Sequence, residues 1–296
     1  MYQGVHVLAN QNTQDCWEKW QGYRDAFGNI IQTTINRYNV IPNHILILGA
    51  GNGNDIPIDL IESIFEEIVL VDIDNNALNN FLNKTSDKSK YQTHIIDLSG
   101  IADQVESVDL INVSNSALAN IISNLKPNIN LSAIKGKFNI ILNANYFSQL
   151  TAPLSYKFLK DHKQAPNYIK KALSKVNNEI QAYLFQEINN LLEVNGICIH
   201  STDIIEIYYN ELTKEKNESC VLVMKATNGL QDMANIQSIL HIIDERGLRI
   251  EGSNYPVNLI QELFDTKTSF FMYWPFDHGE FIIKGYVVQV LILQKK

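Results

Sequence analysis

Short, wholly apolar runs alternate with longer stretches of helical periodicity along most of this 296-residue chain. Two of these runs, at 45–48 and 68–71, flank a stripe of apolar side chains spaced three or four residues apart. A strand covered on both faces is apolar at consecutive positions, whereas a surface helix is apolar on one side only. The alternation predicts an α/β fold with a doubly wound, mostly parallel sheet between two layers of helices.

The same reading extends along the rest of the chain. It predicts further buried strands at 93–98, 138–145 and 197–200, and helices at 116–125, 168–192, 235–246 and 256–264. Near the end, Ser269–Phe276 and Tyr286–Leu293 form two apolar runs joined by a turn at 277–280. They predict an antiparallel C-terminal pair that completes a seven-stranded sheet.

Two regions fall outside this regular alternation. Residues 1–40 are predicted to be a helical lid preceding a domain over 41–296, with Phe27 and Ile31 among its apolar positions. This segment is interpreted either as a helix packed on the core or as a lid over the cofactor that turns Trp17, Trp20 or Tyr23 toward the substrate. Residues 151–190 are predicted to be a helical insertion. Its first part, up to Pro166, is predicted to be irregular.

A glycine-rich turn directly follows the first apolar strand. Gly49, Gly51 and Gly53 alternate with other residues, and none of the three has a Cβ atom that would keep a ligand from the backbone. The helix that follows is expected to be capped by Asn54 or Asp55. This arrangement is typical of a turn that binds a nucleotide.

The second apolar strand ends in Asp72, an acid placed to accept hydrogen bonds from ribose hydroxyls at the carboxyl edge of the sheet. The dinucleotide fingerprint Gly-x-Gly-x-x-Gly would require a glycine where Asn54 stands. The motif therefore favours a nucleoside over a dinucleotide.

These features resemble the Rossmann-like (class I) S-adenosylmethionine-dependent methyltransferases over residues 45–203. The resemblance implies that the three glycines face the methionine part of S-adenosylmethionine and that Asp72 holds its ribose. It further implies that Asp97 accepts a hydrogen bond from the adenine amino group, with Ile73 and Leu98 on the two sides of the ring. Asn143, at the end of the fourth strand, would border the methyl group.

Candidates for acceptor binding and catalysis remain open. Tyr146 ends a segment, Asn143-Ala-Asn-Tyr146, that has the register of an Asn-Pro-Pro-Tyr motif without its prolines, and the alternative is a plain strand end. His200 is interpreted either as a base or as a buried, hydrogen-bonded histidine. Loops at the carboxyl ends of strands form the ligand crevice in this fold, so the insertion, with Tyr156, is expected to select the substrate. Trp20, Tyr23 and Tyr146 are the other substrate candidates.

Composition and charge limit the partners, metal sites and locations expected for this chain. A net charge of −8 and a pI near 5.4 argue against a nucleic-acid partner. The three cysteines are scattered and offer no ligand spacing, so no metal site is expected and a cytoplasmic location is predicted. No apolar stretch is long enough to predict a membrane span, and the first residues lack the pattern of a secretory signal.

The sequence therefore predicts an enzyme that transfers the methyl group of S-adenosylmethionine to a small-molecule acceptor by in-line displacement, leaving S-adenosylhomocysteine. Two alternatives remain: an aminopropyl transferase that uses a related cofactor, and a non-catalytic nucleoside-binding regulatory subunit. The sequence does not reveal the acceptor or the oligomeric state.

Overall fold

A computed structural model describes residues 2–160, 165–210, 215–216, 256–278 and 282–296. The helix predicted at 235–246 and residues 279–280 of the turn predicted at 277–280 lie outside these residues, whereas residues 277–278 belong to a strand. The described strands are β1 (His44–Leu48), β2 (Glu67–Asp72), β3 (Tyr91–Ile95), β4 (Phe138–Ala144), β5 (Leu192–Asn210), β6 (Glu215–Lys216), β7 (Phe264–His278) and β8 (Ile282–Lys295).

The described α-helices are α1 (Tyr2–Thr13), α2 (Gln21–Tyr38), α3 (Ile58–Ile64), α4 (Asn75–Leu82), α5 (Ala102–Val105), α6 (Asn115–Asn124), α7 (Ala152–Lys160), α8 (Asn167–Leu191) and α9 (Val257–Leu263). Within the described ranges, no helix combines the length and the apolar character needed to cross a bilayer.

All of the described strands belong to one sheet, in the order β3-β2-β1-β4-β5-β8-β7, with the short β6 paired to β5. Strands β1 to β5 run parallel, whereas β8 is antiparallel to both β5 and β7. The predicted doubly wound sheet with an antiparallel C-terminal pair is confirmed. Strand order reverses between β1 and β4, which is where folds of this class form a ligand crevice.

Alternate side chains of the central strands enter two separate cores. Leu46 and Leu48 of β1 pack into the core that also contains α6 and α8, and Ile45 and Ile47 pack into the core that contains α2. Because each face of the sheet is covered by helices, β1 and β2 are apolar at nearly every position.

Three predicted elements differ in extent from those observed. The segment at residues 1–40 contains two helices, and Trp20 lies in the turn before α2. The region before Pro166 was predicted to be irregular, which is wrong for 152–160, where α7 forms with Pro153 in its first turn. Proline is tolerated there because the first N–H groups of a helix have no intrahelical acceptor. Strand β3 ends at Ile95, because its partner β2 ends at Asp72.

Candidate functional site

A cavity of about 570 Å³ opens at the carboxyl ends of β1, β2, β4 and β5, and we call it the edge cavity. Its lining includes the glycine turn with Asp72 and side chains of β7 and β8. Helix α1 closes one side through residues that include His6 and Asn10. The volume falls within the range of about 300–1,000 Å³ common for small-molecule sites.

The three glycines of the turn have different surroundings. All have positive φ, at 68° for Gly49, 50° for Gly51 and 70° for Gly53. A Cβ atom on Gly49 would lie 2.4 Å from Tyr146, and one on Gly53 would lie 2.5 Å from Phe81. A Cβ on Gly51 would meet only the Asn10 side-chain oxygen, at 3.4 Å. Gly49 and Gly51 line the edge cavity, whereas Gly53 is packed beneath the turn.

Asp72 is held by the turn it faces. The Gly51 N–H donates to Asp72 Oδ2 and the Asp74 N–H donates to Oδ1, both at 2.9 Å. Each carboxylate oxygen therefore has a lone pair left for a ligand. Burial raises the pKa of Asp72 to about 6, an effect that these backbone hydrogen bonds partly offset. The carboxylate is ionised above that pH.

Of the three residues predicted to contact adenine, one lines the edge cavity. Ile73 lines it, but Asp97 and Leu98 do not. The carboxylate of Asp97 accepts hydrogen bonds from the Ser99 and Ala102 N–H groups, both at 2.8 Å. Leu98 is fully buried in a core cluster that also contains Ile73 and Tyr2 of α1. In this structure α1 therefore packs close to the predicted adenine position.

The end of β4 turns sharply into the cavity. Asn145 has a φ of 54°, and its N–H donates to the Ser201 carbonyl at 3.1 Å. Its side-chain Nδ2 donates to the Tyr23 hydroxyl at 2.8 Å, while its Oδ1 is buried with no partner in the described residues. The Tyr146 hydroxyl is also buried without a described partner. Both side chains line the edge cavity.

Two other candidates lie outside the cavity. Asn143 is fully buried, and its Nδ2 lies 2.6 Å from Nδ1 of His200. His200 packs between the rings of Phe147 and Phe185, with centroids 4.8 and 5.1 Å away. Burial lowers the pKa of His200 to about 3. A neutral imidazole enclosed in this way matches the structural interpretation of His200.

The substrate candidates are dispersed. Trp20 and Tyr146 line the edge cavity, whereas Tyr23 is fully buried behind it. Tyr156, in α7, does not line the cavity, nor does any described residue of the insertion at 151–190. Helices α7 and α8 pack instead on the face of the sheet.

Sequence reasoning missed several lining residues. Helix α1 contributes Asn10, whose Nδ2 donates to Asp74 at 3.1 Å and whose carbonyl accepts from Asn52 Nδ2 at 2.7 Å. Asp55, expected to be a helix cap, lines the cavity, as does Asp203 of β5. Helix α3 has Pro57 at its N-cap instead. These positions carry no periodicity or motif that could have identified them.

His6 should make the protein sensitive to acid. Burial lowers its pKa from 6.5 to about 4, so below pH 6.5 the unfolded chain takes up a proton that the folded chain excludes. Between pH 6.5 and 4, this difference should lower the unfolding free energy of the wild type by up to about 3 kcal/mol. We expect the His6→Leu variant to lack that part of the decrease. Urea unfolding of both proteins at several pH values measures this, and equal pH slopes would refute it.

No protein-family model matches the chain, nor does any curated protein. Among solved structures, the chain is similar to the N-methyltransferase NodS from Bradyrhizobium japonicum WM9, at 6% identity over 93% of this chain and 96% of that one, with a TM-score of 0.40. It is also similar to a putative RNA methyltransferase from Pyrococcus horikoshii, at 9% identity over 92% and 84% of the two chains, with a TM-score of 0.42.

A third similar structure is magnesium protoporphyrin IX methyltransferase from Synechocystis PCC 6803 with bound S-adenosylmethionine. Its identity is 9% over 93% of this chain and 80% of that one, with a TM-score of 0.40. At these values the likeness is distant. The doubly wound α/β fold is therefore assigned from the strand order and strand directions of this chain itself.

Proposed function

We propose that this protein is an S-adenosylmethionine-dependent methyltransferase that acts on a small molecule. The observation that carries the proposal is the combination of Gly51 and Asp72 on one wall of the edge cavity. Gly51 lets a ligand approach the backbone, and Asp72 presents a buried carboxylate with lone pairs for the two hydroxyls of a ribose.

The surrounding residues fit such a cofactor. Asn54 Oδ1 and the Tyr146 hydroxyl line the cavity and are buried without described partners, so a polar ligand has groups to satisfy there. The chain's contribution is to bind, orient and exclude water, with α1 covering the opening beside Ile73 through a hydrogen bond from Gln3 at 3.1 Å. When bound, S-adenosylmethionine would supply an electrophilic methyl group.

A small molecule is the proposed acceptor because the cavity is acidic and partly enclosed. The charged side chains that line it are Asp55, Asp72, Asp203, Asp277, Lys19 and Lys284. Since acids outnumber lysines among these described residues, a phosphate backbone would be repelled. Residues 1–40 are proposed to act as the lid. Selection of the acceptor by the insertion at 151–190 finds no support in the lining of the cavity.

One observation favours a second candidate. An aminopropyl transferase would need several acids to hold a polyamine, and Asp55, Asp203 and Asp277 all line the cavity. Such an enzyme would release 5′-methylthioadenosine from decarboxylated S-adenosylmethionine. Incubating the protein with each cofactor and an amine panel therefore separates the two reactions by their nucleoside product.

Binding of S-adenosylmethionine and S-adenosylhomocysteine, measured by calorimetry, tests the shared premise. We expect both to bind, with S-adenosylhomocysteine formed when an acceptor is present. If neither binds at millimolar concentration, the proposal is refuted. Binding without S-adenosylhomocysteine formation across a broad acceptor panel would instead favour the non-catalytic regulatory role.

A further inference from the structure

Part of the lining of the edge cavity is built from aromatic rings that contact one another. Trp20 meets Trp274 edge-on with ring centroids 4.8 Å apart, and Phe276 lies 5.3 Å from Trp20 and 5.3 Å from Tyr286. All four side chains line the cavity, and we call them the aromatic wall. Such a wall binds an apolar body or, through the faces of its rings, a cation.

The aromatic wall already faces an ammonium group. Nζ of Lys284 lies 5.7 Å from the ring centre of Phe276 and 5.4 Å from that of Tyr286. The other lining lysine, Lys19, forms an ion pair with Asp277 at 2.8 Å. The ring faces of Phe276 and Tyr286 therefore already hold a cation at cation–π distance.

Hydrogen-bond acceptors stand beside the wall. The Asn145 amide donates from Nδ2 to the Tyr23 hydroxyl, so its free end is Oδ1, buried without a partner in the described residues. Asn145 as a whole is only 5% exposed. Asp55 lines the same region. A carbonyl oxygen and a carboxylate oxygen can both be satisfied by a ligand that brings N–H donors.

We infer that the acceptor is an amine carried on an apolar or aromatic body, with its N–H groups directed to Asn145 Oδ1 and Asp55 and its body against the aromatic wall. This inference rests on the proposed function, since it names the substrate class of the same site. Such a site would favour an amine over an alcohol, which brings one donor and no charge. It would also favour an amine over a carboxylic acid, which Asp55 would repel.

The chemistry balances with S-adenosylmethionine as the co-reactant. The bound ammonium first gives one proton to the Asp55 carboxylate, which frees the nitrogen lone pair. That lone pair forms the new N–C bond while the S–C bond breaks and its electron pair stays on sulfur. The product leaves as a methylated ammonium, and Asp55 passes its proton to solvent. Burial raises the pKa of Asp55 to about 6, and its own backbone and the Asn145 side chain partly offset that effect by hydrogen bonding. A carboxylate of that pKa is ionised at neutral pH and is a stronger base than an exposed aspartate.

The test uses matched probes of one shape: 2-phenylethylamine, 2-phenylethanol and phenylacetate. Their binding to the full chain is measured by calorimetry at pH 7.5 with saturating S-adenosylhomocysteine. We expect the amine to bind at least about ten-fold more tightly than the other two, because a charged hydrogen bond contributes about 1.5–3 kcal/mol. Asp55→Asn should weaken the amine about ten-fold or more while leaving the alcohol unchanged.

Asp59→Asn is the matched control, because Asp59 lies four residues away, is exposed in the first turn of α3 and does not line the cavity. It should leave all three probes unchanged. Equal binding of the amine and the alcohol would overturn the inference. So would an Asp55→Asn variant that loses affinity for S-adenosylhomocysteine but keeps its preference for the amine, because Asp55 would then serve the cofactor.

The failure of this inference can be told apart from failure of the proposed function. Affinity for S-adenosylhomocysteine is measured first, without any probe. If it binds and the amine is not preferred, the acceptor class is wrong while the cofactor assignment stands. If it does not bind at all, the proposed function is refuted, and the inference that rests on it is refuted as well.

Discussion

Asp72→Ala should weaken binding of S-adenosylmethionine and S-adenosylhomocysteine by about 2 to 3 kcal/mol, which is roughly 30- to 150-fold. The variant removes the buried carboxylate proposed to accept both ribose hydroxyls. Calorimetry at pH 8 measures the effect under conditions where the wild-type group is ionised, since burial raises its pKa to about 6. Wild-type affinity should also fall as the pH drops below 6, because a protonated carboxyl accepts fewer hydrogen bonds.

Two controls make the Asp72 result specific. Asp87→Ala removes a carboxylate that accepts a hydrogen bond from the Ser89 N–H at 3.0 Å at an exposed site, so it should not change cofactor affinity. Asp97→Ala tests the predicted contact with adenine. The Asp97 carboxylate already accepts hydrogen bonds from N–H groups of its own loop. An Asp72→Ala protein that folds and binds as tightly as wild type would remove the ribose assignment.

Gly49→Ala should be the most destabilising single-methyl change in the glycine turn, lowering the free energy of unfolding by about 2 to 5 kcal/mol. Its φ of 68° strains any residue with a Cβ, and that atom would also lie 2.4 Å from Tyr146. Gly136→Ala supplies a matched control, because Gly136 has a φ of 86° but no neighbour within 4 Å of a Cβ. It should cost only the backbone strain, about 1 to 2 kcal/mol.

Urea unfolding measures both variants: Gly136→Ala adds backbone strain alone, whereas Gly49→Ala adds backbone strain and a steric overlap. Equal losses would contradict the close packing of Tyr146 on the turn. Gly51→Ala completes the series, since its Cβ would meet only Asn10 at 3.4 Å. We expect its unfolding free energy to resemble that of Gly136→Ala, while its affinity for S-adenosylmethionine falls. Gly49 would then be required for packing of the turn and Gly51 for approach of the ligand.

The N-terminal helix connects stability with access to the site. Tyr2 Oη donates to the Leu150 carbonyl at 2.5 Å, and Asn54 Nδ2 donates to the Thr13 carbonyl at 2.5 Å, so both ends of α1 are tied to the loops that surround the cavity. Tyr2 also belongs to the core cluster that contains Ile73 and Leu98. A ligand at the predicted adenine position would therefore lie next to α1.

Much of the site was predictable because it depends on short-range pattern. A strand that is apolar at consecutive positions, followed at once by Gly49 and Gly51, already indicates a turn with exposed backbone. Asp72 could be placed because the end of the next parallel strand meets the same edge of the sheet.

Other predictions failed or fell short because long-range contacts decide them. The strand expected to continue to Leu98 stops at Ile95, because the neighbouring β2 offers no further ladder partner. Tyr156 lies in α7, which packs against α1 and does not line the cavity. Asp55 lines the cavity instead of capping a helix, because the turn continues to Pro57 before α3 begins.

The sequence alone therefore determined the parallel sheet, its glycine turn and the acid at the end of β2, since each follows from periodicity and residue type within a few neighbouring positions. Only the tertiary structure decided that α1 closes the cavity, that Asn145 turns an unpartnered oxygen into it and that rings from 20, 274, 276 and 286 form one wall. Those features join distant residues, as in the hydrogen bond from Trp20 to the carbonyl of Phe276, 256 positions away. Local pattern carries no information about which distant segments pack together.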